Sequence, residues 1–301
     1  MRIAKYFSVP LALTIFLSGC GNDEDNTIEN GNEPEMNEEL TDENEENNLN
    51  SNENLNEDIN ETNDNNQENQ NNESINENNE NSNMENEETA LEDQEPLYEI
   101  DSNIAIRPID DADEEIVLLT IDDAPDNYGP EMAQILKDLD AGAIFFVNGH
   151  FIQSEEGQEQ LKEIHELGFE IGNHTMTHPN LSNISEEEQY EEIVHLNDLI
   201  EEIIGERPRF FRAPFGVNTD YSKELMEDEG MQWMNWSYGY DWEAGYMEKE
   251  ALEEIMVEAP ALGNGANLLM HDREFTKDAL EGIVEGLREK GYEIVDPNLI
   301  K

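Results

Sequence analysis

Five short groups of polar residues have types and spacings that could do chemistry together: Asp122-Asp123, His174-Thr-Met-Thr-His178, Arg212-Ala-Pro-Phe215, Asp241-Trp242 and His271-Asp272. Two imidazoles four positions apart, joined by a carboxylate from another part of the chain, can bind a divalent cation and leave room for water and substrate. Such a cation acidifies water and polarises a carbonyl. A second carboxylate beside the ligand can take a proton, and a histidine on the far side can give one to a leaving group. The set amounts to metal-assisted hydrolysis of an acyl bond. Taken singly the groups are weak signals. A His-x-x-x-His pair on a helix is often two surface histidines. Acidic pairs are common in a chain with 75 Asp and Glu against 15 Lys and Arg. The weight lies in their order and placing.

The placing follows from the elements around them. Ile116–Ile121, Ala143–Val147 and Phe169–Gly172 are short apolar runs that read as buried strands. Residues 209–212, 231–237, 267–270 and 292–295 read likewise. Between them lie helical patterns over 130–139, 155–167, 185–204, 221–228, 249–259 and 276–290. Gly168 and Gly205 sit where two of these helices should end, and Ser185-Glu-Glu-Glu188 resembles a capping box. Alternation of this kind predicts right-handed βαβ units and a parallel sheet of about seven strands. A nearly closed barrel and an open doubly wound sheet both fit the rhythm. In either, each polar group falls just beyond a strand's C-terminal end, where such folds build their sites.

Ile116–Asn298 resembles the polysaccharide deacetylase (NodB-homology) family, carbohydrate esterase family four. TIDDAP at Thr120–Pro125 is similar to its first motif, HTMTH at His174–His178 to its second and RAPFG at Arg212–Gly216 to its third. Asp241-Trp242 matches part of the fourth, and LLMH at Leu268–His271 the fifth. AIFFVNG at 143–149 looks like the family's second strand. The resemblance implies an α/β fold, an incomplete (β/α) barrel of about seven parallel strands. It implies Asp123, His174 and His178 as ligands of a divalent metal, zinc first. Asp122 would be the general base, with Arg212 pairing to fix its orientation, and His271 would protonate the departing amine. A backbone N–H near Phe215 would help stabilise an oxyanion.

Two departures stand out. Ile121 and Ala124 replace the usual Phe and Gly of the first motif, and the second change matters only if the turn needs φ > 0. Tyr238 stands where many members carry an Asp that tunes the catalytic histidine, so Asp241 or Asp272 would have to supply that charge. Trp236-Ser237-Tyr238 looks similar to a Trp-Ser-aromatic run of some peptidoglycan deacetylases. Trp242 is expected in the substrate groove. Trp236 and Tyr240 could stack on sugars, though core packing accounts equally well for Trp236. His165 and His195 read as surface positions on helices, and His150 as a loop residue.

The N-terminal third is different material. Arg2 and Lys5, the apolar run Tyr6–Phe16 and Leu17-Ser18-Gly19-Cys20 read as a secretory signal ending in a lipobox-like sequence. This resemblance to bacterial lipoproteins implies that Cys20, the sole cysteine, carries the lipid. Residues 21–95 are mostly Asn and Glu with no Lys or Arg, a composition that cannot bury enough apolar surface to fold. They read as a disordered tether with an r.m.s. reach of roughly 50 Å. The expected organisation is therefore a signal peptide at 1–20, the tether at 21–95 and a catalytic domain at 96–301. The formal net charge of −60 argues against nucleic acid as a partner. The expected setting is the outer face of the cell membrane, held through the lipid. The expected protein is a monomer that removes N-acetyl groups from an amino-sugar polymer, peptidoglycan first and chitin-like oligomers second. An O-acetyl xylan esterase and a non-catalytic wall-binding protein on the same fold are the rivals.

Overall fold

A computed structural model describes residues 95–301. The expected signal, Cys20 and the tether up to residue 94 lie outside the described residues. The central strand is β3 (Ile116–Ala124), nine residues long. Around it run β4 (Ile144–Val147), β5 (Glu170–Asn173), β6 (Phe210–Phe211), β7 (Gln232–Trp233), β8 (Ala266–His271) and β9 (Glu293–Ile294). All pairings in this sheet are parallel, in the order β7-β6-β5-β4-β3-β8, with β9 against the start of β3.

The helices are α1 (Gly129–Asp138), α2 (Glu155–Glu166), α3 (Glu186–Ile204), α4 (Asp220–Glu229), α5 (Lys249–Glu258) and α6 (Glu274–Glu289). Their limits follow local chemistry. Ser185 and Glu188 form the reciprocal capping box at the start of α3, and Gly205 ends that helix at φ 81°.

The sheet has two unlike faces, set by the period of two along each strand. Val117, Leu119 and Ile121 of β3 pack with helix residues such as Met132, Leu136, Ile164, Leu196 and Ile283. Ile116 and Leu118 join Ile144, Phe146, Phe210 and Met234 on the opposite, helix-free face. Thr120 and Asp122 continue that inner register toward the strand's C-terminal end. Burying a Leu or Phe side chain contributes about 1.5–3 kcal/mol, so this alternation also fixes which way Asp122 turns.

The curl of the sheet is almost complete. The expected strand over 231–237 is divided: only Gln232–Trp233 pairs with β6, because the chain then crosses to the other edge. There the Ser237 N–H donates to the Asn267 carbonyl at 2.8 Å, and the Leu269 N–H to the Tyr238 carbonyl at 2.9 Å. A hairpin that the periodicity does not predict covers the gap, β1 (Tyr98–Asp101) and β2 (Ala105–Pro108). At its tip the Asn103 carbonyl accepts from the Asn235 N–H at 2.7 Å, while the Ile106 N–H donates to Gly265 at 2.8 Å. Among the described residues no helix is long and apolar enough to cross a membrane.

Candidate active site

The C-terminal ends of β3, β5, β6 and β8 bring the separated polar groups together. In a regular strand Asp122 and Asp123 would face opposite sides of the sheet. The register of β3 against β4 shifts between Ile121 and Ala124, and Asp123 takes φ 61°. This bulge re-aims the strand end, so both carboxylates address the same imidazole: His174 Nε2 lies 3.6 Å from Asp122 Oδ2 and 3.8 Å from Asp123 Oδ1. Thr175, His178 and Phe215 also have positive φ, at 71°, 61° and 59°. Half of the eight non-glycine residues in that region, among those described, therefore stand around one site. Such conformations persist where the surroundings over-determine them.

Asp123, His174 and His178 offer one ligand atom each, all within 4.8 Å of one another. His178 Nε2 is 3.6 Å from Asp123 Oδ1. The His174 ring is oriented from behind, since its Nδ1 lies 2.7 Å from the Arg212 carbonyl oxygen. A carbonyl only accepts, so Nδ1 carries the proton and Nε2 presents a lone pair to the two carboxylates. Burial holds His174 below the ordinary imidazole range, against the pull of Asp122 and Asp123. A neutral imidazole facing two carboxylates with no proton between them is a donor set that fits a divalent cation.

Asp122 is held by Arg212. The Arg212 Nη1 donates to Asp122 Oδ1 and to Thr120 Oγ1, both at 2.7 Å, and its Nη2 to the Asn235 carbonyl at 3.1 Å and Asn267 Oδ1 at 3.2 Å. Burial lowers the guanidinium pKa, while the charge and hydrogen bond of Asp122 oppose that; an arginine stays charged regardless. Its plane lies over the Phe146 ring, 4.4 Å from the centroid. Gly172 makes room for that ring, because a Cβ there would meet it at 2.5 Å.

Across the site, His271 Nδ1 bonds Asp241 Oδ1 at 2.7 Å, and the His271 N–H donates to Asp241 Oδ2 at 2.6 Å. Burial pushes the His271 pKa down. The hydrogen bond and charge of Asp241, with the charges of Asp122 and Asp123, outweigh it and leave the imidazole above its ordinary value. Of the two acids considered as partner to His271, Asp241 holds the position. Asp272 instead accepts the N–H groups of Asp126, Asn127 and Tyr128 at 2.8, 3.3 and 2.7 Å. It pins the loop that leads from β3 into α1. Burial raises its carboxyl, and those N–H bonds oppose the rise.

The Tyr238 hydroxyl donates to the Met256 carbonyl at 2.6 Å, away from His271. Ala124 is absent from the positive-φ residues, so the Ala-for-Gly change in the first motif imposes no backbone strain.

Aromatic walls flank the polar centre. Trp242, 37% exposed, stands edge-on to His271 with centroids 5.3 Å apart. Phe215 is 63% exposed and stands edge-on to His178 at 4.9 Å. Trp236 is half-buried, 6.4 Å from Trp242 and 5.9 Å from the Arg212 guanidinium. Tyr240 turns toward Tyr238, Tyr246 and the helix-side core rather than toward a groove. His150 is exposed, on a 3-10 turn over Gly149–Phe151 rather than in the expected loop, His195 is exposed on α3, and half-buried His165 meets Glu206 at 3.2 Å. Sequence reasoning missed the amides beneath the ligand loop. Asn148 Nδ2 donates to the His174 carbonyl at 2.5 Å, and Asn173 Oδ1 accepts from the Thr175 N–H at 2.8 Å. The available signal was an Asn at the end of each of two apolar strands.

The polysaccharide deacetylase family profile matches residues 110–234. The chain is 32% identical over 190 residues to a peptidoglycan-N-acetylglucosamine deacetylase of Bacillus cereus, covering 60% of this chain and 86% of that protein. It is 31% identical over 191 residues to the peptidoglycan-N-acetylmuramic acid deacetylase PdaC of Bacillus subtilis, covering 62% of this chain but only 38% of the relative's length. Among solved structures it is similar to BA3943 of Bacillus anthracis, described as a CE4 family pseudoenzyme. The identity is 31%, the TM-score 0.55 and the coverage 60% of this chain and 63% of that one. This chain belongs to the polysaccharide deacetylase family.

Proposed function

We propose that this protein is a metal-dependent N-deacetylase of an amino-sugar polymer, with cell-wall peptidoglycan as its first substrate. The observation that carries the reading is one cluster with opposed halves. Asp123, His174 and His178 converge beside Asp122–Arg212, and the Asp241–His271 pair completes the site. The two peptidoglycan deacetylases named above support the choice of glycan.

Asp123, His174 and His178 would hold a divalent cation, zinc first, which supplies Lewis acidity toward the acetyl carbonyl and acidifies water. Asp122 accepts a proton from the water that attacks the carbonyl carbon. Arg212 keeps that carboxylate turned to the site. His271, with Nδ1 bonded to Asp241, delivers a proton to the departing nitrogen as the C–N bond breaks, giving free amine and acetate. The N–H groups of Gly216 and Val217 are taken by the Ala213 and Pro214 carbonyls, and the Phe215 N–H is the amide we assign to the oxyanion, as the family resemblance implies. Phe215 and Trp242 flank the sugar.

Acetate release from purified peptidoglycan, chitin oligomers and acetylated xylan, measured side by side after chelation and zinc return, tests this. Zinc-restored release from an amino-sugar polymer is expected. Release from xylan alone would make the protein an O-acetyl esterase, and no release from any of the three would overturn catalysis. The pseudoenzyme among the similar structures favours a second reading, a glycan-binding protein without turnover. Retained glycan binding with no acetate in the zinc-loaded protein would establish it.

The raised pKa of His271 carries a sign. The imidazolium is the proton donor, so kcat should fall as pH rises through that pKa. Asp241→Asn weakens the hydrogen bond to the imidazole and removes one of the charges that together outweigh burial, so the alkaline limb of the kcat profile should move to lower pH. At neutral pH the rate should drop roughly 10- to 100-fold. An unmoved limb would mean that His271 is tuned from elsewhere.

We also read Cys20 as the lipid-bearing residue of an anchor on the outer membrane face. Cys20→Ser should move the protein from the membrane to the soluble fraction, and continued membrane association would require another anchor.

A further inference from the structure

The Asp241 carboxylate is fully buried and accepts three hydrogen bonds. Two come from His271, through its ring Nδ1 to Oδ1 and its backbone N–H to Oδ2, at 2.7 and 2.6 Å. The ring bond joins Asp241 to the imidazole, and the N–H bond ties it to the main chain at the end of β8. The third comes from Thr276, whose hydroxyl donates to Oδ2 at 2.9 Å. Thr276 is itself fully buried and lies in the first turn of α6 (Glu274–Glu289). Arg273, at the N-cap of that helix, donates to the Asp241 main-chain carbonyl at 3.0 Å. The start of α6 therefore grips Asp241 at its carboxylate and at its backbone. Tyr238 offers no competing support, since its hydroxyl is spent on Met256.

We infer that Thr276 is a positioning residue for the reaction, tying the Asp241–His271 pair to α6 so that the imidazole is presented to the departing nitrogen. The inference rests on the deacetylase reading. A charge-assisted bond to a buried carboxylate is stronger than one between neutral groups. The hydroxyl is also the one side-chain donor to this carboxylate, among the described residues, that does not belong to His271. Its loss would leave a lone pair of a fully buried anion unmet.

The full-length protein loaded with zinc, assayed for acetate release from peptidoglycan, provides the test. Thr276→Val keeps the shape and removes the hydroxyl. It should lower kcat roughly tenfold and leave KM and zinc content unchanged. Thr276→Ser keeps the hydroxyl and should recover most of that loss. In an Asp241→Asn background, Thr276→Val should cause no further loss, because the two residues act as one unit. Three results would each overturn the inference while leaving the deacetylase reading intact. These are a Thr276→Val enzyme with the wild-type kcat, a Ser variant as slow as the Val variant, or losses that simply multiply in the double variant. Absence of acetate release by the zinc-loaded wild type would overturn both.

Discussion

Asp122→Asn is expected to retain its metal and lose turnover by roughly 10²- to 10⁴-fold, the usual contribution of a general base. The substitution keeps an oxygen to accept from Arg212 Nη1, now 2.7 Å from Asp122 Oδ1, but the amide cannot take a proton. Arg212 is fully buried and loses its counter-charge, so a stability loss of up to about 3–5 kcal/mol should accompany the change. Thr120 and Asn267 still accept from the guanidinium, and thermal melting sets the temperature at which the assay is valid. Metal content and acetate release must be read on the same sample. A variant that folds but has lost its metal would mean that the roles of Asp122 and Asp123 have been assigned the wrong way round.

Much of the framework that holds Asp122 could be read from the sequence. The apolar run before it, the alternation of strands with helices and the caps at Ser185 and Gly205 are local signals, and local signals survive folding. The barrel-like curl came from resemblance, because periodicity does not distinguish a closed sheet from an open one. What escaped was non-local. Strands β6, β7 and β9 are two residues long, since the curl lets each touch its neighbour only briefly. The β1–β2 hairpin is stabilised by the gap it fills rather than by any periodicity of its own. The choice between Asp241 and Asp272 could not be made from spacing, because adjacent residues at the end of β8 turn opposite ways, His271 into the site and Asp272 to the β3–α1 loop.

The bulge at Asp122–Asp123 was likewise silent. No glycine marks it, yet it is what lets two consecutive side chains serve one centre. The ligand loop adds a similar lesson. His174 and His178 stood out through the ordered series of polar groups and the family resemblance, but their presentation depends on Thr175 and His178 holding positive φ over a floor made by Asn148 and Asn173. Asparagine at a strand's end is ordinary in loops, so its type alone carries little information. Its meaning here comes from burial.

Removing either imidazole should strip the metal and abolish turnover, but the two variants should differ in their effect on the fold. His174 is buried, with its side chain 3% exposed, and its Nδ1–H satisfies the Arg212 carbonyl. His174→Ala therefore opens a cavity and orphans a buried acceptor, at a cost of about 2–4 kcal/mol, and lost activity alone would not separate a missing ligand from a damaged core. The His178 side chain is 29% exposed, so His178→Ala should melt close to the wild-type temperature. Its loss of zinc would then reflect coordination alone. Zinc content by direct metal analysis, taken with the melting curve, distinguishes the cases. Zinc retained at the wild-type stoichiometry in a folded His178→Ala protein would remove His178 from the ligand set, and with it the three-ligand centre on which the proposed hydrolysis rests.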